Sequence, residues 1–555
     1  MSRRAVVDVL ERLAFAAELT DDPRGRTWAA AAWAIRNLKG DLEEMRANGE
    51  LARVRGVGES TLRVIDDALA GQKPEALARA EAQLPPGLFA VRRIKGLGPK
   101  KVKRLWKELG IGSLGELEYA CRENRLVDLS GFGAKTQANV LAQIAKVQAG
   151  LGKMRRDQAQ RVLEPIVSAL EASGLEATIV EDYARGLELV ERLAVLVAVD
   201  DEARADAARE VVQRAKPAER DVLVHLASPE QRAARAVWLT SSPSHAAALA
   251  SRAHELGLRF EEEGLFDETG AAIACADDDA VYRALELSTT PPERRDDDVP
   301  LVLVGHAAPT LVRREDLRGA LHNHTEASDG SATLTEMRDA ARRRGLDYLG
   351  VSEHSHTAFY ARGLDAERLS EQRALIDALN READGCVLLT GVESDILEHG
   401  ELDYPDEVLE DLEVVVASVH KRFKHTREEH TARMIAAARN PYTDVIGHPT
   451  GRLLLAREAT DVDMEALLQA CRESGCAMEL NANPHRLDLS VEHLRMAKAL
   501  GVLVSISADA HATRELDHLE HGIAVARRAG LAPEDVLNTR TADELRGWVR
   551  ERRAR

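Results

Sequence analysis

Aromatic and sulfur-bearing side chains are scarce in this chain. Phe, Trp and Tyr make up 3% of its 555 residues, although hydrophobic residues as a class reach 45%. The five cysteines form no C-x-x-C pair and show no framework spacing: they are Cys121, Cys275, Cys386, Cys471 and Cys476. This pattern excludes a disulfide framework and favours a reduced compartment.

Long apolar segments are also missing. The chain has no run of roughly 18 apolar residues, and no hydrophobic region follows basic residues near its N-terminus. Neither a membrane span nor a secretory signal is therefore predicted. We expect a cytoplasmic, nucleoid-associated monomer of several domains, with no membrane partner.

Positive charge is in deficit over the chain as a whole. Lys and Arg number 75 against 93 Asp and Glu, which gives a formal net charge of −18. The surface as a whole is therefore not expected to attract nucleic acid. Any DNA binding must be local, and it should weaken with salt.

Histidine, in contrast, is concentrated in one part of the sequence. Fourteen of the 18 histidines follow Glu315, and several lie in short blocks with Asp or Glu, such as L-H-N-H, G-V-E-S-D and S-A-D-A-H. The candidate metal ligands in these blocks are His322, His324, Asp329, His354, Glu393, His420, His448, Asp509 and His511.

Most of these blocks come directly after a short apolar run, such as Tyr348 to Val351 or Val414 to Ala417. Amphipathic helical segments, such as Leu334 to Arg344, lie between them. This alternation predicts a βα repeat around a parallel sheet. Because active sites of such sheets gather at the carboxyl ends of the strands, we expect the candidate ligands to share one pocket.

The mixture of ligand types indicates which ions would bind. A single His after a strand is usually a surface or hydrogen-bonded residue, so the joint set in strand-end register carries the prediction. Imidazole suits zinc, manganese and iron, and carboxylates can bridge ions about 3.5–4 Å apart. The set is too large for one tetrahedral ion. We therefore predict two or three divalent metal ions, manganese or zinc, in a centre that hydrolyses phosphoesters.

Two cations near these blocks are candidate catalytic residues. Arg486 could neutralise a phosphate through its planar fork, and Lys421, beside His420, could offer a second positive charge. The alternative for both side chains is that they extend to solvent or pair with a nearby carboxylate.

Two longer segments extend the pattern. They are E-L-N-A-N-P-H-R-L-D-L at 479–489 and G-L-D-Y-L-G-V-S-E-H-S at 345–355. With the ligand blocks, they resemble the PHP (polymerase and histidinol phosphatase) family from about Asp316 to the C-terminus. The resemblance implies a distorted TIM-like barrel with a trinuclear metal centre, and it places all nine candidates on ligand positions. Glu353 stands where that family has Asp, and its longer arm puts the positioning of His354 in question.

The first part of the chain contains three glycine hairpins. They are V-R-G-V-G-E at 54–59, I-K-G-L-G-P at 94–99 and L-S-G-F-G-A at 129–134, and they resemble helix-hairpin-helix motifs. Glycines allow a tight turn and close backbone approach, and the following helix offers free amides to a phosphate. The middle hairpin is the most basic, although a charge run is commonly only a solvated helix face.

This pattern predicts DNA as the partner, bound through its backbone without base readout. The candidate DNA-binding residues are Gly56, Gly58, Gly96, Gly98, Lys100, Lys101, Lys103, Arg104, Gly131 and Gly133.

The order of these regions resembles the bacterial family X DNA polymerases over essentially the whole chain. The implied fold is multidomain: an α-helical N-terminal region with helix-hairpin-helix motifs, an α/β polymerase-like palm and a C-terminal distorted (β/α) barrel of PHP type. The expected domains are a small helical domain at 1–72, a fingers-like region at 73–150, a degenerate palm and thumb at 151–290, a linker at 291–315 and the PHP domain at 316–555.

The middle segment departs from that family. E-D-Y-A-R-G at 181–186 replaces the family's G-S-x-R-R-G, and Arg192 and Ala194 stand where two metal-binding aspartates belong. Val222 to Leu226 offers no Asp on the third strand. Two-metal phosphoryl transfer needs anionic ligands. We therefore predict a folded palm with no polymerase metal site, the alternative being that Asp200 and Asp201 serve instead.

The leading hypothesis is a DNA-binding, metal-dependent phosphoesterase of DNA repair. By resemblance it would act as a 3′-to-5′ exonuclease, an abasic-site endonuclease or a 3′-phosphatase. The alternatives are an active family X DNA polymerase, a small-molecule phosphatase of the histidinol-phosphate type and a non-catalytic DNA-binding module.

Overall fold

Two units of different secondary structure, Met1–Val147 and Gln148–Arg555, make up the chain in a computed structural model. The structure describes residues 3–38, 42–54, 56–70, 72–126, 129, 132–148, 152–218, 220–306, 310–382, 385–420 and 425–554. All five cysteines are buried and free. Over the described ranges, no helix combines the length and the apolarity that crossing a membrane requires.

The N-terminal unit is built from helices joined by tight turns. They are α1 (Arg3–Thr20), α2 (Gly25–Asn37), α3 (Leu42–Ala47), α4 (Glu59–Leu69), α5 (Glu75–Ala82), α6 (Leu88–Val91), α7 (Pro99–Leu109), α8 (Leu114–Arg122) and α9 (Ala134–Gln148). Apolar residues at helical spacing face two separate cores, one around Leu10 and Ile65 and the other around Leu88 and Leu105. The predicted helical character of this region is confirmed.

The middle region starts the second unit with a small α/β layer and a helical module. Its elements are β1 (Met154–Arg155), α10 (Arg156–Ala172), β2 (Ala177–Ile179), α11 (Glu181–Ala184), β3 (Leu189–Val190), β4 (Ala194–Ala198), α12 (Glu202–Ala215), β5 (Leu223–Ala227), α13 (Arg232–Leu239), α14 (Pro243–Glu255), β6 (Arg259–Glu261), β7 (Gly264–Phe266) and α15 (Asp278–Ala284). A three-stranded sheet has the order β2-β4-β5, with β4 and β5 parallel. The segment Val222 to Leu226, which the sequence predicts as a strand, corresponds to β5 to within one residue.

The segment predicted as a linker packs tightly over its first residues. After a single turn at Pro292–Arg294, Arg295 is only 1% exposed and donates to the Thr290 carbonyl and to Asp278. Asp296 accepts from Arg185 of the middle region and from Arg528 of the C-terminal domain, at 2.5 and 2.7 Å. These ion pairs fix the middle region to the C-terminal domain.

The C-terminal domain alternates strands and helices, as its sequence predicts. Its elements are β8 (Gly319–Ala320), α16 (Leu334–Arg343), β9 (Tyr348–Val351), α17 (Ala366–Arg381), β10 (Val387–Asp395), α18 (Asp406–Leu409), β11 (Val414–Ser418), α19 (Arg427–Arg439), β12 (Val445–Ile446), α20 (Met464–Ser474), β13 (Ala477–Asn481), α21 (Val491–Leu500), β14 (Val504–Ser507), α22 (Leu519–Ala529) and α23 (Ala542–Arg553). The last strand, β14, starts at Val504, two residues after the start of the apolar run from Val502 to Ser505 that predicts it. Gly501 ends α21 in a left-handed conformation, and the Val502 amide still donates to the Ala497 carbonyl of that helix.

The seven strands β8 to β14 are parallel and pair in sequence order. At its two edges the sheet nearly closes on itself, because Asn323 bridges to Ala510. The Asn538 amide also donates to the carbonyls of Gly319 and Ile506, at 2.7 and 2.9 Å. The predicted distorted (β/α) barrel is confirmed.

Side chains alternate between the inside and the outside of this barrel. In β11, Val414 and Val416 pack with Tyr348 and other inward residues, whereas Val415 and Ala417 pack beneath the surrounding helices. Because inward positions recur every second residue, a polar side chain near the carboxyl end of a strand lies above this apolar interior.

Candidate metal centre and nucleic-acid interface

The nine predicted ligands converge at the carboxyl ends of the barrel strands. Glu393 lies on β10 itself, and each of the others lies within nine residues after the strand that precedes it. Eight of them form three overlapping groups whose potential ligand atoms lie within 4.8 Å of one another. The groups are His324, Asp329, His354 and His511; His322, His324 and Asp509; and His354, Glu393 and His420.

The ninth candidate, His448, joins the set through Glu393. Its Nε2 lies 2.9 Å from Glu393 Oε1, and its ring is 5.2 Å from that of His420. His448 and Asp509 both have positive φ, at 25° and 50°. Residues other than glycine hold such conformations only where their surroundings enforce them, and this strain is typical of functional sites.

The carboxylates of the centre are held in their ionised form. Burial alone would raise the pKa of Glu393, but His420, His322 and His354 together lower that pKa well below its ordinary value. The pKa of Asp509 is likewise lowered, with His322 making the largest contribution against burial. Anionic oxygen donors are therefore ready for a divalent cation.

The histidines of the centre differ in the direction in which their surroundings shift the pKa of the imidazole. Burial, with His511 and His354 nearby, lowers the pKa of His324 to about 3, so its imidazole is neutral and suited to bind a metal. Burial also opposes charge on His420, but Glu393 and Asp395 raise its pKa. A proton and a metal ion therefore compete for His420.

The donor set fits divalent metal ions. Nε2 of His322 and both ring nitrogens of His324 are buried and make no hydrogen bond with any described residue. Buried polar atoms are ordinarily satisfied, so these nitrogens indicate that a ligand of another kind completes the site. Imidazole and carboxylate donors together match zinc or manganese.

Two carboxylates that sequence reasoning missed orient the ligand rings. The Nδ1 atom of His322 lies 2.7 Å from Glu479 Oε1, and that of His420 lies 2.5 Å from Asp395 Oδ1. Each contact turns Nε2 of the ring toward the shared space, as carboxylates behind metal-bound histidines do. The signal was available: Asp395 follows Glu393 by two residues on one strand, and Glu479 opens the E-L-N segment.

Glu353 braces a loop in the structure. Its carboxylate accepts from the Thr325 amide at 3.0 Å, from Gln372 Nε2 at 3.1 Å and from the Thr325 and Ser328 hydroxyls. Burial raises the pKa of Glu353, and these donors oppose the rise. The longer arm therefore reaches away from the ligand groups and holds the turn that leads to Asp329.

Of the two cations predicted to be catalytic, Arg486 lies at the centre and Lys421 falls outside the described residues. Arg486 is 3% exposed, and its Nε is 3.6 Å from Asp509 Oδ2. After burial, Arg486 makes the largest contribution to lowering the pKa of His448, to about 4. Its guanidinium is thus next to two candidate ligands, and its catalytic role stays a prediction.

Charged side chains of the palm-like region pair with one another beside Arg192 and Ala194, the two positions at which the sequence predicts that metal ligands are missing. Glu181 is buried and contacts Arg192 Nε at 2.6 Å and His225 Nε2 at 3.1 Å. Asp200 and Asp201, the alternative ligands, are engaged at the start of α12. Asp200 pairs with Arg204, and Asp201 caps the helix by accepting from the Arg204 amide at 2.7 Å.

The three glycine hairpins share one backbone hydrogen bond. The amides of Val57, Leu97 and Phe132 donate to carbonyls three residues earlier, at 3.0, 3.1 and 2.8 Å. Each turn leads directly into a helix, α4, α7 or α9.

The glycines of these hairpins occupy the positions that the motif requires. Gly56 and Gly96 have φ of +92° and +89°, a region that favours glycine. Gly58, Gly98 and Gly133 each face open space where a Cβ would be, so another backbone can approach them. Gly131 falls outside the described residues.

The basic side chains of the middle hairpin differ in availability. Lys103 pairs with Asp21, and Arg104 pairs with Glu108. Lys100 is exposed at the start of α7, and the Lys101 ammonium lies 5.2 Å from the Phe132 ring centroid. Lys100 and Lys101 are therefore the stronger candidates for contact with phosphate.

Replacing Glu353 by Gln tests the bracing of the metal-ligand loop. The substitution puts an NH2 donor among groups that all donate, so the turn before Asp329 should loosen. We expect metal affinity to fall about 10- to 100-fold, the usual effect of losing a partner behind a ligand. Competition with a chelator measures it. Glu326→Gln, on an exposed residue of the same loop, is the control; equal affinity of the two variants would contradict the bracing role.

Family comparisons agree with this arrangement. The family model "DNA polymerase beta thumb" matches residues 236–296, the model "SAM-like Helix-hairpin-helix tandem" matches residues 90–146, and the model "PHP domain" matches residues 320–483. These ranges correspond to the helical module of the middle region, the second and third hairpins, and most of the barrel.

Similar proteins cover either the whole chain or its C-terminal part. The chain is 30% identical to the DNA polymerase/3′-5′ exonuclease PolX of Bacillus subtilis (strain 168), over 99% of this chain and 100% of that protein. It is 27% identical to a probable phosphatase of Thermoanaerobacter sp. (strain X514), over 42% of this chain and 94% of that protein. A probable phosphatase of Caldanaerobacter subterraneus subsp. tengcongensis is also 27% identical, over 42% of this chain and 91% of its own length. The chain therefore belongs to the bacterial family X DNA polymerases that carry a C-terminal PHP domain.

Proposed function

We propose that the chain is a DNA-binding, metal-dependent phosphoesterase that removes or trims DNA ends during repair. The reaction is 3′-to-5′ exonuclease cleavage, abasic-site endonuclease cleavage or 3′-phosphatase action. One observation carries the proposal: nine imidazole and carboxylate groups from separate strand ends converge on one buried space. The full-length relative named as a 3′-5′ exonuclease supports the first of these reactions.

The number of ligand groups favours two or three ions, of manganese or zinc. Divalent cations bound there would activate water and neutralise charge on a phosphate that undergoes in-line displacement. Glu479 and Asp395 hold the His322 and His420 rings toward the shared space. Arg486 adds a fixed positive charge beside Asp509 for the phosphate group.

The hairpins of the N-terminal unit would hold the substrate. Their glycines and helix starts suit contact with the phosphodiester backbone, and they offer no set of side chains for reading base edges. Because the protein is acidic overall, affinity for DNA would depend on this local basic surface.

We further propose that polymerase activity has been lost. Holding catalytic metals in the palm would require carboxylates on adjacent strands. Arg192 supplies a cation at one such position, and Ala194 supplies a methyl group at the other. In the described residues, every group of three or more side chains able to hold an ion lies in the C-terminal domain.

A small-molecule phosphatase is the second candidate function. The probable phosphatases match only 42% of this chain. That share of this chain spans 94% and 91% of those two proteins, so a protein of about the barrel's size could accept a small phosphoester by itself. The three hairpins favour DNA as the substrate of the complete chain.

Removing the two histidines of the L-H-N-H block should abolish nuclease activity. His322→Ala with His324→Ala takes donors from two of the three ligand groups. We expect cleavage of a primed or abasic oligonucleotide in manganese to fall to background. His356→Ala, at an exposed histidine of the same domain, should cleave at the parent rate. Cleavage that persists in the double variant would refute the assignment of the centre.

A gapped DNA substrate tests the loss of polymerase activity. We expect no labelled nucleotide to be incorporated by the His322→Ala/His324→Ala protein, in which nuclease action cannot remove a product. The physical reason is that Glu181 and Arg192 neutralise each other where metal ions would need free carboxylates. Template-directed incorporation above background would overturn this part of the proposal.

The salt dependence of DNA binding tests the hairpin surface. Lys100→Ala with Lys101→Ala should weaken binding to all sequences alike. It should also reduce the slope of log K against log salt concentration by about 1 for each phosphate that the variant no longer binds. Lys73→Ala, at an exposed lysine outside the hairpins, serves as the control. An unchanged slope in the double variant would place the DNA-binding surface elsewhere.

A further inference from the structure

A polar cavity lies between the middle region and the barrel, and none of the nine candidate metal ligands lines it. Its volume is about 680 Å³, within the range that small-molecule sites occupy. Arg156, Tyr183 and Glu293 contribute from one side and His521 and Arg527 from the other.

Most cations of this cavity are already neutralised. Arg527 Nε lies 2.7 Å from Glu293 Oε1, and Arg314 Nε lies 3.6 Å from Glu520 Oε1. These pairs leave little net charge on their part of the wall.

Arg156 is the exception. It is 7% exposed, and among the described residues no carboxylate forms an ion pair with its guanidinium: Glu293, whose charge acts on Arg156 from a longer distance, is paired with Arg527. Its Nη1 donates to the Tyr183 carbonyl at 2.7 Å, its Cζ lies 4.1 Å from the Tyr183 ring centroid, and its Nε is buried without a hydrogen-bond partner. A buried charge in this state is costly unless an anion completes it.

We propose that this cavity binds a small phosphomonoester, of nucleoside monophosphate size, through the guanidinium of Arg156. A guanidinium presents paired donors that match phosphate oxygens, and burial strengthens that contact. The volume leaves room for an organic group beside the phosphate.

Negative charge on the wall restricts the ligand to one phosphate group. Glu164 lines the same cavity and forms no ion pair with a described residue, so a triphosphate or a DNA strand would meet repulsion there that a single phosphate at Arg156 avoids. The bound anion would also bridge the middle region and the barrel, since Arg156 starts α10 and His521 lies on α22.

Titration calorimetry with deoxyadenosine monophosphate tests the site. The full chain is used as the His322→Ala/His324→Ala variant without added metal, so that phosphate does not bind at the metal centre. We expect one saturable site, with deoxyadenosine, which lacks the phosphate, binding at least tenfold more weakly. Adding Arg156→Met should weaken binding of the monophosphate by at least tenfold.

A second variant separates loss of the site from loss of the fold. Glu164 is exposed at the cavity wall, and Glu164→Gln removes a negative charge while Arg156 stays in place. It should tighten binding severalfold. No saturable binding to the parent, equal affinity of the Arg156→Met and parent proteins, or unchanged affinity in Glu164→Gln would each overturn the proposal. Because the metal centre is disabled throughout, these outcomes do not depend on the proposed nuclease.

Discussion

Seven parallel strands that end at one rim bring their last side chains into a common space, and the C-terminal domain depends on how the charges gathered there are compensated. Carboxylates and imidazoles buried together would be costly if either kind were present alone. Here each carboxylate has imidazoles around it, and the pKa of Asp329, Glu393 and Asp509 is lowered accordingly. The apolar residues inside the barrel pack directly below this layer of polar side chains.

The sequence predicts the strands and helices of this domain well because two simple patterns mark them, short apolar runs for the strands and amphipathic segments for the helices. Short apolar runs mark the buried strands, and the residues that follow them must lie at the rim. The runs at Tyr348 to Val351 and at Val445 and Ile446 correspond to strands without any shift, and all nine predicted ligands converge.

Other features depend on contacts between residues far apart in the chain, which periodicity does not register. The partnership of His322 with Glu479 spans 157 residues, and the sequence alone does not connect them. Glu353 was expected to disturb His354, whereas its arm turns toward the Thr325 loop. The buried state of Arg156 likewise depends on the packing of two domains against each other.

The middle region keeps a packed sheet although its sequence departs from the motifs of the family X palm. β4 and β5 keep their parallel pairing and their apolar faces, because packing alone maintains them. By resemblance, Arg192 and Ala194 stand where the family has two metal-binding aspartates, and Glu181 pairs with Arg192 and with His225. We propose that these ion pairs replace the polymerase metal site and that phosphate chemistry is confined to the barrel.

Crystals of the full chain soaked in manganese, with anomalous scattering recorded, would test the central claim most directly. We expect two or three anomalous peaks inside the barrel rim, each bound by at least three of the nine imidazole and carboxylate side chains. Nε2 of His322 should point toward one of these peaks. Peaks elsewhere in the chain, or a rim that binds no ion at saturating manganese, would contradict it.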